Sequence, residues 1–158
     1  MAEKKTYGRK RHVLVDTLGL LLAVKVHSAG IVDRKGARLL LGALPRSFPR
    51  ASHLFADQGY TGPLLDWISE QLHWTAEIVP GVSDACVILR NGKARLVRLP
   101  KEGFQVQRKR WVVERTLAWL TRFRRLSRDY EGLTTSSEAF IQLGAIQLML
   151  SRLSPFRY

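Results

Sequence analysis

The sequence predicts an α/β protein, and three observations carry that prediction. Two short runs rich in β-branched and aliphatic residues flank a glycine-containing turn near the start of the chain. Strand-like and helix-like segments then alternate through the middle. Two long segments with helical apolar periodicity close the chain. A length of 158 residues with 46% hydrophobic content suits a single domain with a real core.

The first element is His12-Val-Leu-Val-Asp16, followed by Thr17-Leu18-Gly19 and then Leu20-Leu-Leu-Ala-Val-Lys-Val-His27. Such runs around a glycine turn read as an antiparallel hairpin, with Val24 and Val26 on one face and Lys25 and His27 on the other. Asp33 reads as the N-cap of a helix that runs through Ala37, Leu39, Leu40, Leu41 and Ala43 and stops before Pro45. His53-Leu-Phe-Ala-Asp57-Gln-Gly-Tyr60 reads as a short apolar strand that ends in an acid and a glycine turn. Pro63 opens the next helix, whose apolar face is Leu64, Leu65, Trp67, Ile68 and Leu72. Thr75–Val79 is a strand closed by Pro80-Gly81. Residues 81–105 show no clear period and read as a long loop or insertion. A helix covers roughly Gln107 to Leu126 and a last one about Ser136 to Leu153.

Composition narrows the function. The chain holds 26 Lys and Arg against 13 Asp and Glu, a formal charge of +13, which predicts a polyanionic partner, most simply nucleic acid. The basic residues cluster at Lys4-Lys5, Arg9-Lys10-Arg11, Arg90 to Lys101, Arg108-Lys109-Arg110 and Arg115 to Arg128. The lone Cys86 cannot form an internal disulfide, and His12, His27, His53 and His73 show no metal-ligand spacing. The longest apolar run, Leu18 to Val24, is far short of the roughly 20 residues of a membrane span, and Met1-Ala-Glu-Lys-Lys5 leads into charge rather than an export signal. These features predict a cytoplasmic, nucleoid-associated protein with no membrane partner. No phosphate-binding glycine loop is present.

Two acids are candidates for chemistry. Asp57 stands at the carboxyl end of a strand, before a glycine turn and a helix, where α/β sheets place ligands; the plainer reading is that it caps its own turn with Gly59. Glu114 lies mid-helix in Arg110-Trp-Val-Val-Glu114-Arg-Thr-Leu-Ala-Trp-Leu. Val112, Thr116, Trp119 and Phe123 share a stripe, widened by Val113, Leu117 and Leu120, and Glu114 falls opposite its centre. It reads either as a solvated ion pair with Arg110 at i−4, or as a carboxylate facing a cleft ringed by phosphate-holding arginines: Arg110, Arg115, Arg122, Arg124 and Arg125. Helical periodicity leaves both open.

Three stretches together resemble bacterial insertion-sequence transposases of the DDE superfamily: Arg11-His-Val-Leu-Val-Asp-Thr-Leu-Gly-Leu-Leu-Leu-Ala-Val, Phe55-Ala-Asp-Gln-Gly-Tyr-Thr-Gly and Arg110-Trp-Val-Val-Glu-Arg-Thr-Leu-Ala-Trp-Leu. Gly132-Leu-Thr-Thr-Ser and the closing apolar helix fit the same pattern, so the resemblance runs from about Gly8 to Leu153. It implies a ribonuclease-H-like catalytic domain, a mixed sheet flanked by helices, occupying 1–158. It implies DNA transposition by metal-dependent strand cleavage and strand transfer, with an endonuclease activity on transposon ends and target DNA. Two aspartates and a glutamate hold Mg²⁺ or Mn²⁺ in such proteins. The second aspartate falls on Asp57 and the glutamate on Glu114, and both are assigned as catalytic and metal-binding. Arg110 matches the arginine four residues before the glutamate; seven residues after it stands Thr121, with Arg122 one step further.

The first aspartate of that pattern lies on a central strand in an Asp-Ser pair upstream of the basic segment. No such pair precedes Arg9, and neither Asp16 nor Asp33 matches it. The resemblance therefore implies a domain truncated at its N-terminus and lacking its first, central strand and first catalytic acid. Such a chain would act with a polypeptide from an upstream frame, with a homodimer as a further expectation. The alternative is a non-catalytic, basic DNA-binding remnant of a transposase.

Overall fold

The structure is a computed structural model and describes residues 8–42, 44, 48–79, 85–90, 93–98 and 108–153, with backbone alone at 85–90, 93–98 and 108–109. It is a mixed α/β fold of six strands and four α-helices among the described residues. The chain divides into two compact units: Met1–Val32 with Val112–Tyr158, and Asp33–Trp111.

The first unit is a hairpin covered by helices. β1 (Arg9–Val15) pairs antiparallel with β2 (Leu21–Ser28), as the flanking runs predict. Val24 and Val26 are buried against Leu120, Leu126, Ile141 and Ala145, with Val13, Phe123, Phe140 and Met149 packed around them. Leu120 belongs to α3 (Arg108–Thr121), while Ile141 and Ala145 belong to α4 (Thr134–Leu153). The helix expected over 107–126 ends at Thr121; a short 3₁₀ turn, Arg124–Leu126, follows it and delivers Leu126 to the core.

Arg9 explains how the approach to α4 is fixed. Its guanidinium donates to the carbonyls of Glu131 (2.8 Å) and Gly132 (2.7 Å), to Ser137 Oγ (3.2 Å) and to Asp129 (3.3 Å). Burial opposes ionisation of Asp129. The Ser137 hydroxyl, the Glu131 N–H and the Arg9 charge together outweigh it and hold the carboxyl below its usual value. Arg11 likewise donates to the Leu126 carbonyl at 2.9 Å. This part of the basic cluster at 9–11 is committed to the fold. The cluster at Lys4-Lys5 lies outside the described residues.

The second unit holds α1 (Asp33–Gly42), β3 (His53–Ala56), a 3₁₀ turn (Gln58–Tyr60), α2 (Pro63–Leu72) and β4 (Thr75–Ile78). β4 pairs parallel with β3 and antiparallel with β5 (Ala85–Arg90), which pairs antiparallel with β6 (Lys93–Arg98), giving a mixed sheet in the order β3-β4-β5-β6. Ala37, Leu40 and Leu41 of α1, Leu64, Leu65 and Ile68 of α2, and Ala76 and Ile78 of β4 are buried. Proline at the start of α2 costs no hydrogen bond, because that N–H has no intrahelical partner anyway. The segment 81–105, read as a loop or insertion, contains the two strands β5 and β6. The run Ala85-Cys-Val-Ile-Leu-Arg90 is apolar without alternation, and its partner alternates only over Lys93-Ala-Arg-Leu96 before Val97 breaks the period. No helix among the described residues is long and apolar enough to cross a membrane.

Candidate functional site

In the second unit, Asp57 follows β3 directly and is exposed. Its backbone is extended, and its Oδ1 accepts the Gly59 N–H at 2.9 Å, so it caps the 3₁₀ turn Gln58–Tyr60. The turn-capping reading is therefore realised. One carboxylate oxygen is used in this way, and the acid still stands at the carboxyl end of a parallel strand.

A second acid comes to the same place. A side-chain carbon built on Gly59 would lie 3.1 Å from Asp57 Oδ1 and 3.2 Å from Asp33 Oδ2. Glycine here leaves room for two carboxylates to approach one point. Asp33 is the first residue of α1, where its charge meets the positive helix end. Tyr60 reports both acids: its phenol is pushed up to about 12, first by burial and then by the negative charges of Asp57 and Asp33. Asp33 is not among the candidate acids that the sequence singles out for the site. Its helix-start role was visible, but its proximity to Asp57 depends on how α1 meets the turn after β3, which no local pattern encodes.

In the first unit, Glu114 is exposed on α3, and the buried side of the helix carries Thr116 and Leu120 with Val112, Val113 and Trp119 half-buried. The predicted stripe is thus observed, except that Leu117 at its margin is 38% exposed. The five candidate arginines divide. Arg115 donates to the Leu18 carbonyl at 2.9 Å and lies 4.7 Å from the Trp119 ring. Arg125 pairs with Glu131 at 2.9 Å and lies 4.8 Å from the Phe140 ring. Arg110, Arg122 and Arg124 are exposed.

Asp57 and Glu114 offer hard oxygen ligands, the donor type that Mg²⁺ and Mn²⁺ take, and Mg²⁺ is commonly held by one or two carboxylates while keeping its waters. Asp33 and Asp57 both approach Gly59, so two carboxylates of that donor type stand in the same part of the second unit. Among the described residues no group of three or more His, Cys, Asp or Glu side chains gathers within reach of one ion.

Residues 2–150 match the family model described as transposase DDE domain. The chain is 31% identical over 144 residues to a curated protein of Burkholderia cepacia named "Putative transposase for insertion sequence element IS402", an alignment that covers 87% of this chain and 60% of that protein. The chain thus spans about 60% of the length of the curated relative it matches. No solved structure matches it.

Proposed function

This chain belongs to the transposase DDE domain family, and we propose that it serves DNA transposition through metal-dependent strand cleavage and strand transfer, with Asp57 and Glu114 as its metal-binding carboxylates. The observation that carries the reading is the setting of Asp57. It is exposed at the carboxyl end of β3, one oxygen is fixed by the Gly59 N–H, and a second carboxylate lies beside it.

A divalent cation, when bound, supplies Lewis acidity at the scissile phosphodiester and an activated oxygen nucleophile. The chain's own residues do the rest. The Gly59 N–H donates to Asp57 Oδ1 at 2.9 Å, which orients the carboxylate. Glu114 presents its carboxylate from a regular helix, a rigid support. Arg110, Arg122 and Arg124 bracket it in sequence and are exposed, which suits contact with DNA phosphates. A ribonuclease-H-like arrangement of the strands belongs to the same proposal.

A second reading, a basic DNA-binding protein without catalysis, rests on the excess of 26 Lys and Arg over 13 Asp and Glu. The two separate cleanly. An insertion element carrying this coding region is scored for transposition in cells, intact and with Asp57→Ala or Glu114→Ala. The proposal expects either change to reduce transposition to background while the purified variants keep their DNA affinity. Undiminished transposition by both variants refutes it and leaves the DNA-binding reading.

A further inference from the structure

We infer that Arg115 and Thr116 are positioning residues that lock the helix bearing Glu114 to the turn of the β1–β2 hairpin. The inference rests on the reading of Glu114 as a metal-binding carboxylate.

The turn is itself tightly built. Asp16 Oδ1 accepts the N–H groups of Leu18 (2.9 Å) and Leu20 (2.8 Å), and the Asp16 N–H donates to the Leu20 carbonyl at 2.9 Å. Gly19 donates to the Asp16 carbonyl and takes φ +80°, a conformation that side chains resist. Two consecutive carbonyls of this turn accept from two consecutive residues of α3. Arg115 Nη2 donates to Leu18 O at 2.9 Å, and Thr116 Oγ1 donates to Gly19 O at 2.7 Å. These residues directly follow Glu114.

The geometry leaves little slack. Thr116 is only 2% exposed, so water cannot replace its hydroxyl without opening the contact. A carbon added to Gly19 would lie 2.7 Å from Thr116 Oγ1 and 3.2 Å from Arg115 Nη2, so the turn approaches α3 more closely than any other residue allows. The Arg115 guanidinium is held further by the Trp119 ring at 4.7 Å, and Arg152 of α4 lies 4.3 Å from that same ring. Arg115 Nε is buried without a hydrogen-bond partner among the described residues, a cost the other contacts must offset.

Fixing residues 115 and 116 sets the roll of α3 about its axis. A carboxylate carried about 6 Å off a helix axis moves about 1 Å for each 10° of roll, and a displacement of about 1 Å can cost about 10²-fold in a reaction that depends on placement. Two short hydrogen bonds next to Glu114 are therefore suited to set where its carboxylate points.

The test is Mn²⁺ titration of the folded chain, read by the electron paramagnetic resonance of free Mn²⁺, alongside thermal melting. Glu114→Gln is expected to weaken Mn²⁺ binding at least tenfold. Thr116→Val, which keeps the shape and removes the donor, is expected to weaken it about tenfold, and Thr116→Ser to restore it within about twofold. Arg115→Lys keeps the charge but loses the guanidinium fork, so it should weaken binding severalfold, and it replaces Thr116→Val if that variant does not fold. A folded Thr116→Val or Arg115→Lys chain with wild-type Mn²⁺ affinity, in the same series where Glu114→Gln loses it, overturns the positioning role alone. Unchanged binding in Glu114→Gln instead overturns the metal reading of Glu114, and the inference with it.

Discussion

Asp57→Asn and Asp57→Ala separate the observed turn cap from the proposed metal-binding role of Asp57. Its Oδ1 accepts the Gly59 N–H at 2.9 Å and caps the turn Gln58–Tyr60; its charge is what a divalent cation would need. Asp57→Asn keeps an oxygen acceptor in the same position and removes the charge, whereas Asp57→Ala removes both. The capping bond is worth about 1 kcal/mol, as side-chain caps commonly are. Asparagine should therefore leave stability within about 0.5 kcal/mol of wild type, a shift typical of exposed sites, while alanine should lose about 1 kcal/mol. Mn²⁺ affinity should fall at least tenfold in both, equivalent to about 1.4 kcal/mol of binding free energy. Urea denaturation followed by tryptophan fluorescence gives the first quantity, and Mn²⁺ titration gives the second. The reasoning fails if asparagine is as destabilising as alanine, or if the asparagine chain binds Mn²⁺ like wild type.

Three further outcomes follow from the structure. Tyr60 keeps its proton to about pH 12 in the folded chain against 10.0 ordinarily; its contribution to stability is complete below about pH 10 and is lost as pH rises toward 12. Ultraviolet titration should place the phenol there in wild type and lower in Asp57→Asn, though not fully to 10, because burial is the larger cause. Arg9→Met removes donors to two carbonyls, Ser137 and Asp129. It should destabilise by about 2 kcal/mol in denaturant and raise the Asp129 pKa measured by carboxyl NMR. Gly144→Ala would set a methyl group 3.0 Å from Leu126 Cδ1 and 3.3 Å from Phe123 Cδ2. Overpacking of about 1–3 kcal/mol should exceed the gain of about 1 kcal/mol in helix propensity, giving a net loss in urea melts.

The hairpin, α1, α2, β4 and α4 were legible because each carries its own local signal: a valine pair with a glycine turn, an aspartate at a helix start, a proline at N1, an apolar period. The strands β5 and β6 were not, since β5 is uniformly apolar and β6 alternates over only four residues, yet Asn91-Gly92 separates them in sequence and Arg90 pairs with Lys93. That dipeptide was the available hairpin signal. Asp57 and Glu114 stood out by motif. Asp33 did not, because its neighbour Asp57 is set by packing between elements. Arginines were the least legible of all. Arg9 bonds residues more than 120 positions away, and nothing in a run of basic residues separates a cation bound for backbone carbonyls from one bound for phosphates.

Under the proposal, Asp57 and Glu114 hold divalent metal in this chain. The most direct measurement loads the folded chain with Fe²⁺ in place of Mg²⁺, starts localised oxidative cleavage with peroxide and ascorbate, and maps the cut sites by mass spectrometry. Hard carboxylate sites accept either ion. Backbone cuts are expected beside Asp57 and beside Glu114, both suppressed by excess Mg²⁺ and both absent from Asp57→Asn and Glu114→Gln. Cuts that fall elsewhere, or that persist in either variant, would contradict it.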